Sequence, residues 1–247
     1  MSVRRILVGE HGMDRAVENQ MRNWELRREQ RQALPHQERK PLESFICVSR
    51  LVGLEGHAVV SGLSARLGWP TFDREVLGLM AGDDEMTRRL YETLDHRDLK
   101  WWESALSPFV MGRLVVNDYF RRLCETVLAL ARQSPGIFIG RGIDLILPRD
   151  QGLRVCLFAS LPTRIHAVTA RHAVTEAEAR HLIAQGEAER REFIQRIFHV
   201  EAYDPGRFDL VLNLDRMTSA EAIDLIVAAH AGRESAERAA AAVESPA

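Results

Sequence analysis

FICVSRLVGLEGHAVVSG, residues 45–62, decides how the chain is read. Phe45 to Val48 is a short apolar run of strand formers, the pattern of a strand buried on both faces of a parallel sheet. Ser49 to His57 is a turn with Gly53 and Gly56 three residues apart. From Ala58 the apolar residues fall at Val59, Val60, Leu63 and Leu67, one helix face that stops at Gly68 and Pro70. A strand that enters a helix through a glycine turn leaves the first helical N–H groups without intrahelical partners. Together with the helix dipole these attract anions, most often phosphate. The phosphate-loop signature GxxxxGK[ST] is nevertheless incomplete. Gly56 is followed by His57 and Ala58, so the lysine and the magnesium-binding hydroxyl are missing, and Glu55 adds a negative charge to the turn. Two readings stand at this point: a phosphate cradle, and a plain turn whose glycines meet only backbone demands.

The rest of the chain is consistent with one large domain carrying appendages. It has 247 residues, 46% of them hydrophobic, enough to bury a core. Lys plus Arg total 33 against 35 Asp plus Glu, a balance of −2 that does not call for nucleic acid or an anionic membrane as partner. Cys47, Cys124 and Cys156 are far apart, which fits a reducing compartment and no disulfide frame or zinc site. No apolar run reaches membrane-spanning length, and the N-terminus does not read as a signal peptide, so the expected location is cytoplasmic.

Residues 1–44 read as an N-terminal helical extension and linker, with a short strand at Ile6 to Val8 and a helix over 13–33 that aligns Val17, Met21 and Trp24. That helix is either docked on its own domain or a contact for a second copy or another partner. Residues 45–231 form the main domain, and the Ala- and Glu-rich tail, 232–247, is expected to be mobile. Further strands are read at 69–72, a brief extended piece, and at 137–139, 153–159 and 208–214. A helix over 109–132 carries the stripe Phe120, Leu123, Cys124, Val127, Leu128 and Ala131. Another runs from Ser160 to about His172. Thr175 with Glu178, and Thr218 with Glu221, are capping boxes that open helices to about Phe198 and Ala231. Strand and helix in alternation predict a mainly parallel five-stranded sheet with helices on both faces. In such folds ligands bind beyond the carboxyl ends of the strands, which singles out the 49–57 turn, Asp73 with Arg74, and Arg141 with Asp144.

Each of these residues has two readings. Arg141, between two glycines, contacts a ligand phosphate or salt-bridges Asp144. Asp73 binds a sugar or base, or caps the helix after it. Arg190 and Arg196 clamp a phosphoryl group, or lie on a solvated helix face with i,i+4 partners such as Glu187 with Arg191.

Five stretches in this order carry a resemblance: VSRLVGLEG (48–56), ARLGWPTFDREVL (65–77), FIGRGIDLIL (138–147), ASLPTRIHAVTARHAVTEAEA (159–179) leading to EAERREF (187–193), and YDPGRFDLVLNLDRMTSAEAIDLI (203–226). From about Phe45 to Ala231 the chain resembles the cytidylate kinase-like family of P-loop nucleoside monophosphate kinases. The resemblance implies a P-loop kinase-like three-layer α/β fold with a helical lid. It also implies phosphoryl transfer from ATP, with magnesium (Mg2+), to a nucleoside monophosphate, CMP or dCMP first.

By that resemblance Ser49, Arg50, Gly53, Gly56 and His57 hold the donor phosphates, and Asp73 and Arg74 line the acceptor site. Arg141 and Asp144 sit at the acceptor phosphate or its metal-water shell, while Arg164, Arg190 and Arg196 belong to the lid. The family pattern has Glu, a small residue and Gly where this chain has Leu51, Leu54 and Glu55. A carboxylate beside phosphate costs on the order of a few kcal/mol at an effective dielectric of about 20. The sequence therefore supports three alternatives. One is an active kinase that uses Arg50, His57, Arg141 and lid arginines in place of the lysine. The second is a non-catalytic relative that binds a nucleotide or a partner. The third is a small-molecule kinase on the same scaffold.

Overall fold

A computed structural model describes residues 42–73, 77–78, 118–140, 142–149 and 151–244. The expectations for the N-terminal strand and helix, and for Arg74 and Arg141, fall outside the described residues.

The described strands are β1 (Phe45–Arg50), β2 (Thr71–Phe72), β3 (Gly136–Ile139), β4 (Leu153–Phe158) and β5 (Leu210–Asn213). They form one sheet in the order β2-β3-β1-β4-β5, and every pairing is parallel. The helices are α1 (His57–Leu67), α2 (Asp118–Gln133), α3 (Ile143–Ile146), α4 (Leu161–His172), α5 (Glu176–Phe198) and α6 (Ser219–Glu244). As the apolar run predicted, β1 is central, and its residues alternate between two cores because strand side chains alternate faces. Phe45 and Cys47 face the α2 side with Phe72 and Phe138. Ile46 and Val48 face the α1 and α6 side with Val59, Leu63, Ala222 and Ile226. The stripe predicted on α2 from Leu123 to Ala131 is buried on the first side. Phe138 holds that layer together, stacked on Phe72 at 5.1 Å and edge-on to Phe45 at 6.5 Å.

Both capping boxes are present. Thr175 Oγ1 accepts from the Glu178 N–H at 3.3 Å and Glu178 accepts from the Thr175 N–H at 2.8 Å; Thr218 and Glu221 repeat the arrangement. The last helix differs from expectation. It continues to Glu244 instead of ending near 231, so the boundary placed at 232 falls inside α6. Alanine is the best helix former, and two long-range contacts hold this turn. Arg233 pairs with Asp209 at 2.9 Å, and Ser44 donates to Glu234 at 2.6 Å.

The chain leaves β1 for the β2 side and returns to β4 on the other. The strand order therefore reverses at β1, and the crevice beyond its carboxyl end is where such a sheet receives a ligand.

Candidate functional site

The turn from Leu51 to Gly56 closes on itself. The Leu51 N–H donates to the Leu157 carbonyl at 3.2 Å, which extends the β1–β4 pairing, and the Leu54 N–H returns to the Leu51 carbonyl at 3.2 Å. Gly53 has φ +83, a conformation that favours glycine, and a Cβ there would lie 2.9 Å from Ile183 Cγ1 of α5. Gly186, in the middle of α5, meets the turn from the other side: its Cβ would be 2.8 Å from Val52 Cγ1. The two glycines let a helix lie directly on the turn.

That contact brings arginines to the strand end. Arg164 of α4 is 9% exposed at its side chain. Its Nη1 donates to the Val52 carbonyl at 2.9 Å and to Glu187 at 2.5 Å. Arg190 Nη1 donates to the Arg50 carbonyl. The Arg50 stem crosses the start of α1, where a Cβ on Gly56 would be 3.0 Å from Arg50 Cδ. Desolvation first, and then the charge of Arg190, holds the Arg50 guanidinium below its ordinary pKa, while Asp73 opposes the shift. A guanidinium stays protonated regardless, so these cations are held together against their repulsion. An anion at the helix start would relieve that repulsion.

Glu55 does not oppose such an anion from inside the turn. Its side chain is 55% exposed and points to Arg171, with Oε1 3.7 Å from Nε. His57 turns along its own helix to Ser61 at 3.3 Å and is exposed. Ser49 is buried in β1. Asp73 follows β2, and its carbonyl accepts from the Leu77 N–H at 3.0 Å. The structure thus brings Arg50, Arg164 and Arg190 together around the turn, with Asp73 within electrostatic range. It does not bring Arg196, which lies on the solvated face of α5, 3.8 Å from Glu192.

Asp144 is engaged elsewhere. Its side chain is 2% exposed and forms a 2.5 Å ion pair with Arg207, in the short 3-10 turn Pro205–Arg207. Arg207 stands sixty-three positions further along the chain than Asp144. Reading by proximity along the chain missed Arg207 for that reason. Arg154 was also missed. It is fully buried on β4, with its guanidinium donating to the carbonyls of Asp144 (3.1 Å), Leu147 (2.8 Å) and Gln151 (2.7 Å). An arginine inside the apolar run LRVCLF was the available signal, since a buried charge needs such partners.

The residues fit a phosphate better than they fit a protein-held metal. The Nε of the buried Arg164 has no hydrogen-bond partner, a donor left over beside the turn. Among the described residues no group of three or more His, Cys, Asp or Glu stands at metal-binding distance, and Ala58 supplies no hydroxyl. No helix among the described residues is long and apolar enough to cross a membrane.

A five-stranded parallel sheet whose central strand opens through a glycine turn into a helix, with an arginine-bearing helix pair over that turn, defines a P-loop kinase-like α/β protein. The chain belongs to the cytidylate kinase-like family, whose model matches residues 45–216. An uncharacterized protein from Eubacterium ventriosum has a similar fold, at 17% identity over 77% of this chain and 99% of its own, with a TM-score of 0.63. A gluconokinase from Sinorhizobium meliloti (14% identity, 78% and 94% coverage, TM-score 0.44) and a shikimate kinase from Aquifex aeolicus (16%, 77% and 98%, 0.37) superpose too loosely to carry weight. No curated protein matches the chain.

Proposed function

We propose that this nucleotide kinase-like protein holds nucleotide phosphates at the start of α1 with Arg50, Arg164 and Arg190, and passes a phosphoryl group from ATP to a nucleoside monophosphate, CMP or dCMP first. The observation that carries the reading is the gathering of guanidinium groups at the switch point of the sheet, where a glycine turn opens a helix. Phosphoryl transfer asks little covalent work of a protein. Positive charge and positioning supply most of the rate, so arginines replace the absent lysine in kind. On binding, phosphate oxygens take the place of the Val52 and Arg50 carbonyls as partners of Arg164 and Arg190. Asp73 faces the acceptor nucleotide. Magnesium bound to ATP would neutralise charge on the transferring phosphoryl group.

A second reading, binding without transfer, is favoured by Leu54, buried where the family pattern has a small residue, and by Ala58, which offers no hydroxyl. One assay separates the two: phosphoryl transfer from magnesium ATP to CMP, dCMP, UMP, AMP and GMP, with Arg190→Ala in parallel. Turnover with one acceptor, lowered at least tenfold in the variant, supports the kinase. ATP-dependent thermal stabilisation without turnover selects the second reading.

A further inference from the structure

Arg190 and Arg191 are consecutive on α5, so their side chains leave the helix about 100° apart. Two like charges so placed diverge into solvent unless something gathers them. One ring does. The Arg190 and Arg191 guanidinium carbons lie 5.6 and 5.5 Å from the centroid of Tyr203, within cation–π range. Arg191 is also 3.8 Å from Glu187, the residue that pairs with Arg164. The ring is fixed from behind. Arg207 Nη1 donates to the carbonyls of Glu201 at 2.9 Å and Ala202 at 2.8 Å, just before Tyr203, and its Nη2 holds the buried Asp144. Asp144 follows β3, while Arg190 reaches the carbonyl at the end of β1. The ends of β3 and β1 are thus joined through one aromatic ring.

The Tyr203 hydroxyl takes no part in this. It is buried and has no hydrogen-bond partner. Desolvation pushes its pKa up, with Arg190 and Arg191 opposing, so it remains a neutral phenol. A buried hydroxyl without a partner gives no stability, and its removal leaves the ring's attraction for cations intact.

We infer that Tyr203 is a positioning residue for the phosphate site: its ring, and not its hydroxyl, holds Arg190 toward the β1–α1 turn, with Arg191 gathered against the same ring. The inference rests on the reading of that turn as a phosphate site and extends it to a residue that touches neither the turn nor its ligand. It separates two substitutions. Tyr203→Phe keeps the ring; Tyr203→Leu keeps an apolar side chain and loses the π face.

The test uses the full chain and two readouts. One is the dissociation constant for ATP by calorimetric titration. The other is backbone hydrogen exchange of residues 186–194 without any nucleotide. Tyr203→Phe matches the parent protein in both. Tyr203→Leu binds ATP about tenfold more weakly and exchanges faster over 186–194 by a similar factor. A Phe variant as weak as the Leu variant overturns the inference, because the hydroxyl is then the working group. A Leu variant that matches the parent in hydrogen exchange also overturns it, whatever its affinity. If the parent protein fails to bind ATP, the phosphate reading of the turn falls. The exchange arm still decides whether the ring holds α5.

Discussion

Asp144 and Arg207 show what one buried residue costs when its partner is removed. Arg207→Met leaves the Asp144 carboxylate, 2% exposed, without its countercharge. Such a loss costs about 3–5 kcal/mol, and the double variant Asp144→Leu with Arg207→Met recovers most of it. Chemical denaturation of the parent protein and these two variants checks this; equal stability of the single and double variants contradicts it. Asp209 sets a pH dependence. Desolvation raises its pKa, but the Arg154 N–H, Arg233 and Arg149 outweigh that and hold the carboxyl below its ordinary value. A depressed carboxyl contributes stability that is complete above the unfolded value, about 3.9, and is lost as pH falls through the folded value. Melting temperature therefore falls on acidification below about pH 4, and less steeply in Asp209→Asn. Much of this was not legible in the sequence. The spacing GRGID offered Arg141 either as a ligand contact or as a partner of Asp144, and nothing local announced Arg207, because ion pairs that tie distant segments leave no periodic trace. The glycine turn itself was legible, since φ > 0 at Gly53 leaves few alternatives to glycine.

At the scale of elements, the contact between α5 and the turn depends on Gly186. Glycine inside a helix is unfavourable by about 1 kcal/mol relative to alanine, so its place in α5 points to a close approach. Gly186→Ala sets a methyl group about 2.8 Å from Val52 Cγ1 and forces the helix off the turn. It therefore lowers stability in the parent chain, and in a Val52→Ala background it raises it by about 0.5–1 kcal/mol. Thermal melts of the four proteins test this reversal of sign; the same sign in both backgrounds contradicts it. The capping boxes and the stripe on α2 could be read directly, because both are local patterns with a fixed period or offset. The role of α5 could not. Its charged residues suit a solvated face as well as a site, and only the fold separates Arg190, on the turn, from Arg196, paired with Glu192 in solvent.

For the whole molecule, the parallel sheet could be read from the alternation of strands and helices, and the switch point at β1 followed from it. The end of the domain could not be read. A tail of alanines and charges has no apolar stripe, yet α6 runs through it because Arg233 and Glu234 reach back to Asp209 and Ser44. A chain ending at residue 231 loses both contacts and melts below one ending at 244, by about 2–4 °C for each kcal/mol lost. Equal melting temperatures would place the stable boundary at 231 after all. The same view of the molecule shows the turn and the paired helices α4 and α5 converging on one cluster of arginines, Arg50, Arg164 and Arg190.

Calorimetric titration of ATP into the parent protein and into Arg190→Ala, each shown to be folded by its melt, tests that convergence most directly. Binding by the parent protein, weakened about tenfold or more in the variant, is the predicted result. Equal affinity of the two proteins, or no binding by the parent protein, contradicts the account.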